Sequence, residues 1–190
     1  MNRFSVCFLL LIALISCKSK KKNDVHFFSI VPVLKGQVKY VDSSANRIMA
    51  IYRADDSDPD TSIISKEEFR ALAGEFLSLP DITSHGNKSD YEESVMPEEA
   101  TSSVLLNYTT TAPDQEIRRE TVVLRSVQNP TANVQNGEVK SIIVDLFKEN
   151  DDSTVIKNML WQVDQEFQIV TKTTLTNQPE KVRILRVKWE

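Results

Sequence analysis

The chain has 190 residues, with 27 acidic and 23 basic side chains and a formal net charge of −4. This mildly acidic balance gives no reason to expect nucleic acid as a partner. The chain contains only four glycines, so phosphate-cradling loops are nearly excluded. Its length suits one domain with a real hydrophobic core. The composition therefore indicates a single globular domain that is stabilised by packing.

The N-terminus has the layout of an export signal. Arg3 gives a basic start, residues 4–15 are apolar, and small Ser16 follows. The apolar run has 12 residues, whereas a helix that spans a bilayer needs roughly 20. We therefore predict that residues 1–16 form a signal peptide, with a permanent transmembrane helix as the alternative.

The sequence Leu14-Ile15-Ser16-Cys17 resembles a lipobox, the processing site of bacterial lipoproteins. The resemblance implies cleavage before Cys17 and lipid on its sulfur, and several acyl chains hold a protein durably at a membrane. The alternative is ordinary cleavage that leaves Cys17 as a free thiol. Because Cys7 is lost with the signal peptide, a lipidated Cys17 leaves no cysteine for a disulfide in the domain.

Residues 17–29 are predicted to be a basic tether, with four lysines within residues 18–22. Each basic residue near an anionic surface contributes about 1 kcal/mol, so we expect this segment to lie against lipid headgroups. The lysines differ from the acidic export signals of surface-exposed Bacteroidota lipoproteins. Lys18 differs from the Asp of the proteobacterial inner-membrane retention signal. These comparisons favour an outer membrane location facing the periplasm.

The folded domain is predicted over residues 30–190, beginning with a helix near Pro32. Residues 46–52 favour a strand, followed by an acidic turn at 55–60. The predicted helix carries one apolar stripe at helical spacing, formed by Val31, Leu34, Val38 and Val41.

A second helix is predicted after Ser65, because Ser65 and Glu68 have the spacing of a capping box. Leu79-Pro80 ends this helix. Residues 81–101 are polar and acidic, and we predict a long surface loop there. The buried face of the second helix is expected to comprise Phe69, Leu72, Ala73, Phe76 and Leu77.

From residue 102 onward the pattern changes to short β-rich runs separated by turn residues. Run 154–165 also fits a helix, although a strand is favoured. Consecutive runs with short links predict a meander. The expected fold class is α+β, with two N-terminal helices packed on a curved, mainly antiparallel meander sheet of about six to seven strands. The β-rich runs are 102–111, 116–127, 138–148, 154–165, 167–176 and 181–189.

The acidic turn resembles an EF-hand loop, in which spaced carboxylates surround calcium. Thr61 stands where that loop needs Gly, and Pro59 stiffens it. No helix is predicted before the turn. An acidic hairpin turn is therefore the favoured interpretation, and weak calcium binding is the alternative. The candidate ligands are Asp56, Asp58, Asp60 and Glu67.

Catalytic signatures are lacking. His26 and His85 have no partner at a zinc-binding spacing, and the chain has no G-x-S-x-G elbow. We therefore expect no enzyme activity and no cofactor, with a carboxylate pair as the remaining catalytic possibility. Aromatic residues on the strands are expected in the core, namely Trp161, Phe167 and Trp189. Polar strand residues are expected on solvated faces, among them Arg118, Glu120, Arg183 and Lys188.

Two stretches, residues 64–81 and 152–169, are similar to uncharacterised envelope lipoproteins of Bacteroidota. The resemblance implies an envelope lipoprotein and carries no known activity. We expect a non-enzymatic, membrane-anchored binding protein whose partner is an envelope protein or an apolar ligand in the concavity of the sheet. The alternatives are a calcium-stabilised interaction module and a carboxylate-based envelope hydrolase.

Overall fold

The computed structural model describes residues 27–125 and 138–190, so the predicted signal peptide, Cys17 and most of the predicted tether lie outside the described residues. Two α-helices and nine strands occur in these ranges. The helices are α1 (Val31–Ser43) and α2 (Lys66–Leu77). The strands are β1 (Ile48–Ala54), β2 (Asp60–Ile64), β3 (Tyr91–Glu98), β4 (Ser103–Thr110), β5 (Ile117–Arg125), β6 (Val139–Asn150), β7 (Ser153–Gln162), β8 (Glu166–Leu175) and β9 (Lys181–Trp189).

All nine strands form one antiparallel sheet in the order β2-β1-β9-β8-β7-β6-β5-β4-β3. Strands β3 to β9 are a meander, and β9 then pairs with β1, so the first hairpin completes the sheet. The predicted α+β class and antiparallel meander agree with this architecture. Two details were wrong: the sheet has nine strands rather than six or seven, and the two helices are separated by a two-stranded hairpin where one strand and a turn were predicted.

Both helices form where the sequence pattern predicts them. In α1 the buried side chains are Leu34, Val38 and Val41. The capping box of α2 is present: the Ser65 hydroxyl accepts from the Glu68 N–H at 3.2 Å, and the Glu68 carboxylate accepts from the Ser65 N–H at 2.8 Å. These bonds satisfy two backbone donors at the helix start.

Helix α2 packs on β7, β8 and β9 through an aromatic cluster. Phe76 meets Trp161 edge-on, with ring centroids 5.1 Å apart, and Phe69 meets Trp189 in the same way at 5.5 Å. Phe167 stacks on Trp161 at 5.1 Å. Such pairs contribute about 0.5–1.5 kcal/mol each beyond the area they bury. The prediction that the strand aromatics belong to the core is confirmed.

The two strands that sequence reasoning missed are the two edges of the sheet. β2 occupies part of the predicted acidic turn region, and β3 lies inside the predicted loop 81–101. Ten of their 13 residues are exposed, so neither strand shows the regular alternation of apolar and polar residues that marks a half-buried strand. Residues 153–162 are a strand, which confirms the favoured interpretation of that run.

Candidate functional site

The space between the helices and the sheet is filled. Trp161, Phe167 and Phe69 are fully buried there, and Val144 and Met159 belong to the same buried cluster. Because buried side chains in protein cores are close-packed, we expect no bound chain or ring within this cluster. The structure therefore gives no support to a ligand in the predicted concavity.

A groove of about 350 Å³ lies where α2 ends above β6 and β7. Leu146 and Met159 contribute apolar surface to its lining. Lys148 lies 2.9 Å from the Glu116 carboxylate, and Lys157 is ion-paired with Glu75. Because each lysine already has a carboxylate partner, the groove offers balanced charge rather than a site for an anion.

The candidate calcium ligands are not gathered around one point. Asp56 and Asp58 are exposed in the turn after β1, and Asp60 begins β2. Glu67 lies beyond the other end of β2, and that strand is about 13 Å long. The described residues contain no group of three or more potential metal ligands.

Glu67 already has its own partners in the first turn of α2. Its own backbone N–H and the side chain of Arg70 bond its carboxylate and lower its pKa. The Arg70 guanidinium is 2.7 Å from Glu67 and 2.9 Å from Asp42 of α1. Glu67 therefore contributes to the helix start and to the contact between the two helices.

Glu120 is the functional candidate that sequence reasoning placed wrongly. We expected it on a solvated face, but it is buried with 1% of its surface exposed. Glu120 alternates with the buried Val122 and Leu124 and therefore lies on the inward face of β5, and a register shift between Ile117 and Arg119 brings Ile117 to that face as well. Neither carboxylate oxygen has a hydrogen-bond partner among the described residues.

Burial raises the pKa of Glu120 to about 8, and the nearby charge of Asp81 adds to this. An ionised carboxylate without partners is very unfavourable in an apolar interior, so the proton is retained at neutral pH. With this little exposure Glu120 cannot reach a substrate in solvent.

Two tyrosines share this part of the core with Glu120. The Tyr108 hydroxyl accepts a 2.9 Å bond from the Phe28 N–H, and the Tyr91 hydroxyl donates a 3.0 Å bond to the Ile117 carbonyl. Burial raises the pKa of Tyr91 to about 12 and raises that of Tyr108 further. Both hydroxyls stay protonated, and they hold chain segments over the sheet.

The edge strand β3 carries two exposed apolar side chains. Val95 is 50% exposed and Met96 is 49% exposed. Val95 lies opposite buried Leu106 and therefore belongs to the face that carries the helices, while Met96 belongs to the outer face. No strand of the described ranges pairs with the other side of β3.

The surroundings of this edge are strongly acidic. Residues 89–117 contain seven carboxylate side chains and no Lys, Arg or His. Among the described residues, no β3 side chain forms an ion pair. Glu116, which follows the next strand in the same acidic stretch, is paired with Lys148. Sequence reasoning noticed these acids but interpreted them as a loop.

His85 is exposed in the turn before β3, while His26 and Cys17 lie outside the described residues. Neither helix of the described ranges combines the length and apolar character that crossing a bilayer requires. No protein-family model matches the chain, and no curated protein or solved structure is significantly similar to it.

Proposed function

We propose that this protein is a bacterial envelope lipoprotein, anchored through Cys17, whose domain binds another envelope protein at the β3 edge. The anchor is supported by Leu14-Ile15-Ser16-Cys17 after an apolar run that is too short to span a bilayer. The lysines of residues 18–22 suit a tether that lies on lipid headgroups. Their departure from known sorting signals favours the outer membrane and its periplasmic face.

The proposed binding role is supported by a contrast between the interior of the domain and the β3 edge of the sheet. The interior is filled by aromatic side chains, so carriage of an apolar ligand is not favoured. The β3 edge combines exposed Val95 and Met96 with a free row of backbone groups. Exposed sheet edges with apolar side chains are surfaces to which an extended segment of a partner can add as a strand.

The shape of the sheet fits this role. Register shifts occur at two points of β5, between Ile117 and Arg119 and between Val123 and Leu124. Bulges of this kind bend a strand and increase its twist. We infer a sheet that curves around the helices, which turns the β3 edge toward solvent.

Site-specific photocrosslinking in intact cells tests the binding role. A photoreactive residue at Val95 or Met96 is expected to capture one recurring envelope protein. The matched control is Ile63 on the opposite edge strand β2, which is 61% exposed. Equal capture at Ile63, or none at Val95 and Met96 in cells that produce the anchored protein, would contradict binding at β3.

A further inference from the structure

We propose that the partner adds to the β3 edge as an antiparallel strand in which two adjacent apolar residues are followed, after two further residues, by a lysine or arginine. This inference rests on the proposed function and names the chemistry of the segment that binds. The apolar pair would lie beside Met96 and Val95, and the base would lie beside Glu92.

The backbone of β3 sets the length of such a segment. The Thr111 N–H donates to the Asp90 carbonyl at 2.8 Å, so the even-numbered residues of this strand turn their backbone groups toward β4. The odd-numbered residues direct theirs to the free side. Pro97 is one of these and carries no N–H, so full pairing ends at Val95. An added strand of about five residues therefore matches the free backbone groups of residues 91–95.

The two faces of β3 offer different side chains to an added strand. Val95 lies opposite buried Leu106 on the face that carries the helices, whereas Glu92 and Met96 share the outer face. Val95 is 50% exposed and Met96 is 49% exposed. An apolar residue beside each of them removes this surface from water, which favours binding.

Glu92 selects a base on the outer face. Its side chain is exposed and forms no ion pair within the described ranges. The base in line with it across the sheet is Arg119, which is separated from it by Thr109 and is already paired with Asp145 at 2.6 Å. Opposite charges across a strand pair are stabilising, so a lysine or arginine of the partner is favoured beside Glu92.

Glu93 does not select a base in the same way. It lies opposite Tyr108, on the face that carries the helices. The Phe27 ring packs on Tyr108, and the Lys88 ammonium lies 5.4 Å from the centre of the Phe27 ring. Lys88 therefore already supplies positive charge on this side of β3 and would repel a second base. We expect a neutral residue of the partner beside Glu93.

Glu98 lies outside the paired stretch, because it follows Pro97. Its carboxylate accepts a 3.3 Å bond from the Ala100 N–H. The Lys140 ammonium binds the hydroxyl of Ser103, the residue directly opposite Glu98. The pattern of the partner segment is therefore set by residues 92–96.

A second copy of β3 fits this edge poorly. Antiparallel registers that pair residues 91–95 of two copies place two carboxylates opposite each other, which is destabilising, except for the register centred on Ser94. That register places Glu92 beside Met96, where the carboxylate loses water and gains no positive partner. Charge therefore favours a basic segment of a different protein.

Peptide binding to the full chain in neutral micelles tests the inference. The matched probe is a blocked heptapeptide, Thr-Val-Val-Thr-Thr-Lys-Thr, and the mismatched probe carries Glu in place of its Lys. The amide NMR signals of Glu93 and Val95 report on pairing at the free edge. We expect the lysine peptide to bind about fivefold more tightly than the glutamate peptide, because opposite charges across a strand pair attract and like charges repel.

Two variants of the protein locate the effect. Glu92→Gln is expected to abolish the preference for the lysine peptide. Glu99→Gln, which removes an exposed acid just after the strand, should retain it. Equal affinity of the two peptides for the unaltered protein, or a preference that survives Glu92→Gln, would overturn the inference.

Two further outcomes would also overturn it. One is the absence of any shift at Glu93 and Val95 with millimolar lysine peptide. The other is a set of β3 shifts that grow with protein concentration in the absence of peptide, which would assign the edge to a second copy. In-cell photocrosslinking at Val95 that still captures one envelope protein would then leave the proposed function standing, with a partner segment of different chemistry.

Discussion

The face of the sheet that carries the helices is covered by different elements at its two ends. Over β7 to β9, helix α2 packs aromatic rings such as Phe76 against Trp161, and burial of apolar surface provides the stabilisation. Over β4 and β5, the N-terminal segment at Phe28 and the loop before β3 form the cover. They meet Tyr108 and Glu120, so this end depends on hydrogen bonds and on one retained proton.

The difference shows where the domain can respond to its surroundings. Aromatic packing involves no titratable group, so the stability that the α2 end contributes should not change over the neutral pH range. The stability of the Glu120 end falls as pH rises from the ordinary carboxyl pKa of 4.5 toward about 8, because only the folded state keeps the proton in this range. It is also the end at which Phe27 and Phe28 contact Tyr108, next to the β3 edge proposed as the binding surface.

The largest expected effect is at the aromatic end. Phe76→Ala removes a ring that packs on both Trp161 and Phe167, and we expect the free energy of unfolding to fall by about 3–5 kcal/mol. Urea denaturation at pH 5 and pH 8 measures this loss, which should be the same at both values. Neighbouring Leu77, which is more exposed, is the control, and Leu77→Ala should cost well under half as much. A loss that changes with pH would contradict the separation of the two ends.

Glu120→Gln tests the other end. The ordinary carboxyl pKa is 4.5 and the folded value is about 8, so between these values the native state binds a proton that the unfolded state has released. Stability therefore falls as pH rises through this window. Gln carries no such proton, and we expect the variant to be more stable by about 3 kcal/mol at pH 7.

Denaturation curves from pH 5 to pH 8 provide the measurement for Glu120. The wild-type free energy of unfolding should decline across the range more steeply than that of the Glu120→Gln protein. Glu138→Gln, at an exposed carboxylate, is the control and should keep the wild-type slope. Parallel curves for wild type and Glu120→Gln would show that Glu120 is ionised in the folded protein.

Tyr108→Phe has the smallest expected effect. It removes the acceptor of the Phe28 N–H while keeping the ring that packs on Phe27. We expect a loss of about 1 kcal/mol and faster amide exchange at Phe28. Tyr91→Phe is the control, because its hydroxyl binds Ile117 instead. Unchanged exchange at Phe28 would mean that this bond does not hold the N-terminal segment.

Sequence patterns predicted the elements that bury a regular face. The α2 face and its capping box at Ser65 follow from spacing alone, and so do the strands from β4 to β9. The edge strands were missed because an edge strand that buries little need not alternate, and Pro97 and the acids of β3 are typical of loops.

The candidate site was harder to predict for a different reason. Glu120 alternates with the buried Val122 and Leu124, so the spacing places it on the inward face, and it was assigned to solvent because it is charged. Alternation does not predict Ile117 on that same face, because the register shift that turns it inward depends on the partner strand and on packing. The meeting of Phe28 with Tyr108 joins residues 80 positions apart, which no spacing rule connects.

Mass spectrometry of the N-terminal peptide tests the membrane anchor most directly, using protein isolated from its own cells. The account predicts a peptide that begins at Cys17 and carries diacylglycerol on the sulfur, with the protein in the membrane fraction. Cys17→Ala should then move the protein out of that fraction or leave it unprocessed. A peptide with an unmodified Cys17, recovered from soluble protein, would contradict the anchor and the role built on it.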